Sequence, residues 1–132
     1  MLEKYPQQVK LVFKNYPLSS HKYARKAAAA ALAAHAQGRF WDFHDALFAS
    51  HNKLNDVSVE EIRVRLELDK STFDLQREAP QVMDQIKRDI QWAREAGVRG
   101  TPSVFINGRS QRSRSLESFS AAVEAELRRL GK

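Results

Sequence analysis

The sequence predicts a mixed α/β fold in a single domain over residues 1–132. Three observations carry this prediction. Apolar and polar residues alternate from Val9 to Lys14, which is typical of a β-strand. Apolar residues at helical spacing recur over approximately residues 19–97, which indicates a block of helices. The sequence Gly100-Thr101-Pro102 then leads into a short apolar run that ends at Asn107-Gly108, a pair typical of a tight β-hairpin.

The first helix is expected to begin at Ser19 or Ser20, because serine is a favourable N-cap. Gly38 suits the position just after the end of this helix. The small residues of the helix, together with one tyrosine, fall on one face and predict close packing against a neighbour. They are Tyr23, Ala27, Ala30, Ala31 and Ala34.

Four more helices are expected before the hairpin, each beginning at a break, a capping residue or a proline. They are predicted at Phe40 to Ser50, from the capping box of Ser58 to about Leu68, from a cap at Ser71, and from Pro80 to a stop at Gly97. The expected core stripe of the first of these is Phe40, Phe43, Leu47 and Phe48. The third holds Phe73 and Leu75, and the fourth repeats apolar residues at helical spacing at Met83, Ile86, Ile90 and Ala93.

The hairpin is expected to pair a strand at Ser103 to Ile106 with a return strand from Arg109 to about Arg114. The return strand has no apolar residue, which predicts an edge that faces water. Ser115 is expected to cap a last amphipathic helix. The apolar stripe of that helix is Leu116, Phe119, Val123, Leu127 and Leu130.

Composition excludes several kinds of chemistry. The 132 residues contain no cysteine, which excludes a disulfide framework, a thiolate nucleophile and a cysteine-ligated zinc. The longest apolar run, Ala27 to Ala34, is far too short to cross a bilayer, so we expect no membrane partner. No signal peptide precedes the first strand, so the chain as written is expected in the cytoplasm.

The ionisable residues give no pattern of a metal or cofactor site. The four histidines have neither an i, i+4 spacing nor a His-Glu-x-x-His motif, so we expect no metal and no cofactor. They are His21, His35, His44 and His51, of which His44 is expected to have a structural role. The net charge of +6 and the arginines at 109, 112 and 114 leave nucleic-acid binding as a weaker alternative. The favoured interpretation of those arginines is a solvated edge strand that resists aggregation.

Four segments in this order resemble one known family over almost the whole chain. They are Leu2 to Phe13, Asn15 to Leu18, Phe40 to Phe48, and Gly97 to Gly108. Together they resemble the DsbA-like branch of the thioredoxin superfamily of thiol–disulfide oxidoreductases. The resemblance implies a thioredoxin-like fold with an inserted helical subdomain, lacking the first core strand and the start of the active-site helix.

In that family a strand and a helix that bears Cys-Pro-x-Cys precede the segment beginning at Leu2. Such a βα unit has about 30 residues, and it would contain both cysteines. The resemblance matches Pro102 to the family's cis-proline and implies that Thr101 and Pro102 bind extended polypeptide substrates. Without the thiols the chain is expected to be redox-inactive, whereas the intact relative is expected in the periplasm or another extracytoplasmic compartment.

A missing first strand would leave sheet edges unpaired. We therefore expect either direct pairing of Val9–Phe13 with Ser103–Ile106, or a strand supplied by a second copy in a homo-oligomer. Two alternatives to a truncated oxidoreductase stay open. One is a cysteine-free, chaperone-like pseudo-enzyme that binds peptides, and the other is a related isomerase branch that shares the helical insertion.

Overall fold

A computed structural model of the chain describes residues 2–18 and 23–131. The chain divides into two compact units. The hairpin unit comprises Met1–Lys14 and Val98–Lys132, and the helical unit comprises Asn15–Gly97. The helical unit thus covers the insertion expected at residues 19–97, and it begins four residues earlier. That the whole chain is a single domain stays a prediction.

The helical unit contains five α-helices in its described part. They are α1 (Ala24–His35), α2 (Phe40–Ala49), α3 (Asp56–Arg65), α4 (Lys70–Arg77) and α5 (Pro80–Glu95). The caps expected at Ser19 and Ser20, like His21, lie outside the described residues. Helix α1 packs against α2, α4 and α5. Its alanine face is buried as expected, and side chains of this size let three helices approach one axis closely.

Two apolar clusters fill the helical unit. In the larger cluster, the rings of Phe43 and Phe73 stack with centroids 5.5 Å apart, and both side chains are fully buried. The smaller cluster joins Ala29 of α1 to Val82 and Ile86 of α5. These contacts confirm α2, α4 and α5 as the helices that carry the aromatic and aliphatic core.

Two expected helix starts are wrong. Helix α3 is capped by Asn55, whose side chain accepts a hydrogen bond from the Ser58 amide, while the Ser58 hydroxyl accepts one from the Asn55 amide. Ser58 therefore belongs to the capping box as its third helical residue, not as its cap. Helix α4 is capped by Asp69, which accepts a hydrogen bond from the Thr72 amide, so Ser71 lies inside the helix.

Several residues assigned to apolar stripes are exposed. Phe48 of α2 is 64% exposed and Leu75 of α4 is 71% exposed. Phe48 lies at the margin of a stripe drawn at i+3 and i+4 spacing, whereas Leu75 follows the buried Phe73 by two residues and so lies on another side of α4. In the last helix, α6 (Leu116–Arg129), Val123 is buried, whereas Leu116 and the following Leu130 are exposed.

The hairpin unit contains a two-stranded antiparallel sheet and helix α6. Strand β1 (Phe105–Ile106) pairs with β2 (Arg109–Ser110). Asn107 and Gly108 both have positive φ, at 48° and 80°, which is the conformation of a type I′ turn and confirms the predicted hairpin. The Gln111 amide donates to the Val104 carbonyl at 2.9 Å, which extends the pairing by one residue. Both strands are shorter than expected.

The strand expected at Val9–Lys14 is wrong, and so is its direct pairing with Ser103–Ile106. Over the described residues the sheet holds β1 and β2, and the segment 9–14 is not a strand. The alternating pattern shows that the backbone is suited to an extended form. A β-strand also needs a hydrogen-bonding neighbour, and the two strands present here pair with each other.

Candidate functional site

The loop from Gly100 to Ser103 connects the helical unit to β1. The Thr101–Pro102 peptide bond is cis, the geometry that the resemblance implies for this position. The Ser103 hydroxyl donates to the Gly100 carbonyl at 2.7 Å. Arg114 Nη1 donates to the Pro102 carbonyl at 2.8 Å. The carbonyl groups on both sides of Thr101 are therefore fixed by side chains of the same unit.

Thr101 itself keeps its backbone polar groups available. Its side chain and that of Pro102 are exposed. Within residues 2–18 and 23–131, the Thr101 N–H and C=O take no hydrogen-bond partner. Backbone groups without a partner in an exposed residue can pair with an added extended segment, as an open sheet edge does.

A buried carboxylate ties the hairpin turn to α6. Glu126 accepts hydrogen bonds from Arg129 at 2.8 and 3.0 Å and from Asn107 Nδ2 at 3.3 Å. Arg109 Nε of β2 lies 3.5 Å from its other oxygen. The hydrogen bond from Arg129 is the main reason why the pKa of Glu126 is lowered, followed by the one from Asn107. The turn and helix that hold the loop in place are thus joined through one side chain.

Lys4 and Tyr5, near the start of the described residues, bind a second carboxylate of α6. Tyr5 Oη donates to Glu124 Oε1 at 2.6 Å, and Lys4 Nζ donates to the same oxygen at 3.0 Å. These bonds lower the pKa of Glu124, the tyrosine hydrogen bond most, and raise that of Lys4. The segment leading to Val9 is therefore anchored to α6 rather than to a sheet.

An exposed apolar segment follows this anchor. Leu11 and Val12 are each 57% exposed, and Phe13 is 38% exposed. Three consecutive large apolar side chains at the surface are unusual, because isolated ones are the norm. This segment is the second candidate contact surface of the hairpin unit.

The histidines are not expected to form a metal site. Among the described residues, no group of three or more His, Cys, Asp or Glu side chains could hold a metal ion. His44 lies among the aromatic rings of α2, with centroid distances of 5.3 Å to Trp41 and 4.7 Å to Phe48. This packing agrees with a structural role for His44.

Sequence reasoning missed two of the polar residues that shape the site. Glu126 falls on the apolar face of α6, three residues after Val123, and that position is a signal that it is buried and paired. Arg114 was interpreted as part of a solvated edge, yet it binds the Pro102 carbonyl. The Pro102 carbonyl comes within reach of Arg114 only when the loop folds, and no spacing of residues in the sequence indicates that contact.

Comparison with known proteins identifies a family. The thioredoxin family model matches residues 1–125. The probable disulfide bond formation protein D of Bacillus anthracis is 25% identical over 130 residues, which cover 92% of this chain and 59% of that protein. A crystal structure of a thioredoxin-like oxidoreductase from Silicibacter pomeroyi DSS-3 matches with a TM-score of 0.83 and 29% identity. The match covers 97% of this chain and 73% of the other.

Several antiporters also match this chain over part of their own length. The Na(+)/H(+) antiporter NhaA 3 of Salinispora tropica is 37% identical over 117 residues, which cover 87% of this chain and 18% of the antiporter. The present chain therefore spans less than a fifth of the antiporter's length. In the described part of this chain, every helix is too short or too polar to span a bilayer. The chain has a thioredoxin-like fold and belongs to the thioredoxin family.

Proposed function

We propose that this chain is a redox-inactive member of the thioredoxin-like oxidoreductases and that its Thr101–Pro102 loop binds extended polypeptides. The observation that carries the proposal is that Thr101 is an exposed residue whose N–H and C=O have no hydrogen-bond partner within the described residues. Backbone pairing with an extended segment uses such groups and needs no thiol.

The chemistry of disulfide exchange supports the first half of the proposal. Exchange proceeds by attack of a thiolate on a disulfide sulfur through a mixed disulfide. The chain has no cysteine, and serine hydroxyls neither ionise near neutral pH nor undergo two-electron redox chemistry. Binding of the polypeptide is therefore the part of the family's function that these residues can perform.

Insulin reduction by dithiothreitol tests the redox half. We expect the purified chain to leave the rate of insulin precipitation at the level of the reagent alone. A rate above that level, proportional to the protein concentration, would show that the chain does catalyse exchange and would overturn this half of the proposal.

Fluorescence anisotropy of a labelled peptide tests the binding half. A peptide of about ten residues spans roughly 33 Å when extended. We expect Thr101→Ala to bind it normally, because the backbone is kept, and Thr101→Pro to lose binding, because the N–H is removed. The same peptide with alternate amides N-methylated is the matched control and is expected not to bind. Equal binding of both peptides would contradict strand-like pairing.

A second candidate function is self-association through the segment Leu11–Phe13. Its support is the exposure of three adjacent apolar side chains. Exposed apolar patches of this kind often mark contacts between proteins, including contacts between two copies of one chain. We therefore propose that two copies associate through this segment in solution.

A further inference from the structure

The net charge of the chain is unevenly divided between the two units. In the helical unit, Lys and Arg residues equal Asp and Glu residues, at twelve each. The hairpin unit contains ten Lys and Arg residues but only four Asp and Glu residues. The whole net charge of +6 is therefore carried by the unit that contains the Thr101–Pro102 loop.

Two of the four carboxylates of the hairpin unit are already paired with basic side chains. Glu124 binds Lys4, and Glu126 binds Arg109 and Arg129. Within residues 98–115 of the same unit, three exposed arginines have no ion pair with any carboxylate of the described residues. They are Arg99, Arg112 and Arg114.

These three arginines flank the loop. Arg114 Nη1 binds the Pro102 carbonyl at 2.8 Å, while its Nε and Nη2 have no hydrogen-bond partner in the described part of the chain. Arg99 is two residues before Thr101, so their Cα atoms are at most about 7 Å apart. Arg112 follows Gln111, whose amide binds Val104 at the foot of the loop. A segment paired with Thr101 would therefore lie among guanidinium groups.

We infer that the Thr101–Pro102 loop selects extended polypeptide segments that carry Asp or Glu, and that Arg114 binds a carboxylate beside the paired backbone. The inference rests on the proposed function and names its substrate class. A guanidinium has a planar set of donors that matches a carboxylate. Side chains that share one face of a strand lie about 7 Å apart. One acidic residue in a paired segment can therefore reach Arg114 while the next reaches Arg99 or Arg112.

A polypeptide fits this surface better than a nucleic acid. Proteins that bind single strands combine a basic groove with exposed aromatic rings on which bases stack. Residues 98–115 contain one aromatic residue, Phe105, and it is half-buried. The Thr101 N–H and C=O, in contrast, match the alternating donors and acceptors of an extended peptide.

Anisotropy titrations of the full chain with four labelled probes test the inference. Three probes are peptides of about ten residues that alternate Thr with Glu, Gln or Lys, and the fourth is an oligothymidine of similar length. We expect the Glu peptide to bind about tenfold more tightly than the Gln peptide at low salt. This preference should shrink as the salt concentration rises, because ions screen exposed charges. The Lys peptide should bind more weakly than the Gln peptide.

Substitutions of the arginines test which of them cause the preference for the Glu peptide. Arg112→Gln and Arg99→Gln should each weaken binding of the Glu peptide several-fold and leave the Gln peptide unchanged. Arg114→Gln also removes the hydrogen bond to the Pro102 carbonyl, so it should weaken binding of both peptides, and that of the Glu peptide more. Arg65→Gln, at an exposed arginine of α3, is the matched control and should change neither affinity.

The outcomes separate this inference from the function on which it rests. Equal affinity for the Glu and Gln peptides would overturn the acidic preference and leave polypeptide binding standing. Tighter binding of oligothymidine than of the Glu peptide would overturn it in favour of nucleic acid. Failure of every peptide to bind would overturn the proposed function as well.

Discussion

Asp89 accepts both amide donors of Asn15. The backbone N–H and the side-chain Nδ2 of Asn15 each lie 2.9 Å from Asp89 Oδ2, and Gln85 Nε2 lies 2.8 Å from the other oxygen. Asn15 and Asp89 are 5% and 3% exposed. The first residue of the helical unit is thus fixed to α5 by a buried carboxylate whose hydrogen bonds replace water.

Removing this carboxylate should destabilise the helical unit. Asp89→Ala leaves two buried donors of Asn15 without an acceptor, so we expect a loss of about 2 to 3 kcal/mol in the free energy of unfolding. Asn15→Ala keeps the backbone hydrogen bond and should cost about 1 kcal/mol. Urea unfolding followed by tryptophan fluorescence measures both, since both tryptophans lie in this unit.

The matched control is Asp84→Ala, because Asp84 is exposed on the same helix. Its unfolding midpoint should stay close to that of the wild type. Because Asn15 and Asp89 act as a pair, the double variant should be little less stable than Asp89→Ala alone. Strictly additive losses would show that the two residues contribute independently.

Glu126 should make the hairpin unit sensitive to acid. Its pKa is lowered by the hydrogen bonds from Arg129 and then Asn107, so the unfolded chain takes up the proton first as the pH falls. The stabilisation is therefore full above the unfolded pKa of about 4.3 and is lost as the pH falls through the folded pKa. The difference in melting temperature between wild type and Glu126→Gln should stay the same from about pH 7 to 5, and it should shrink as the pH falls further.

Glu117→Gln is the control for that experiment, because Glu117 is exposed in the first turn of the same helix. Melts of this variant should follow the wild-type profile in acid. A difference between wild type and Glu126→Gln that persists unchanged down to about pH 3 would exclude a lowered pKa for this carboxyl.

Tyr23 should be the phenol that resists ionisation. Burial raises the pKa of Tyr23 to about 12, and its hydrogen bond to Asp56 adds to the effect. Because the folded pKa is raised, the associated stability is full below the unfolded pKa of about 10 and is lost as the pH rises through about 12. Absorbance titration of Tyr23→Phe should lack the component near pH 12 that the wild type shows.

Asp56→Asn tests the cause of that shift. Since burial is the larger contribution, this variant should lower the pKa of Tyr23 only in part. A titration identical to that of the wild type would show that the carboxylate has no influence on the phenol.

The sequence predicts best where a local rule decides the conformation. Asn107-Gly108 forms the expected turn because few residue pairs adopt positive φ twice, and Pro80 begins α5 because proline suits the first helical turn. The buried polar residues escape prediction. Asp89 and Glu126 are charged residues on helices, and the partners that make their burial tolerable come from distant positions in the chain.

The segment 9–14 is a second case in which distant residues decide the outcome. Its alternation predicts an extended backbone, but a strand forms only when a second strand supplies hydrogen bonds. Similarly, Phe48 falls in the apolar stripe predicted for α2 and is exposed, because periodicity does not say which neighbours a helix has. The loop could be located by its Gly-Thr-Pro sequence, whereas the arginine that holds it could not.

The exposed segment Leu11–Phe13 should govern self-association. We expect Val12→Lys to weaken the proposed dimer by about tenfold or more, since a charge placed in an apolar contact must lose its hydration. Light scattering after size-exclusion chromatography measures this, over the concentrations at which the wild type associates. Val57→Lys is the matched control, because Val57 is 66% exposed on α3 in the other unit, and its dimer should persist. A wild type that stays monomeric at every concentration would leave the segment without this role.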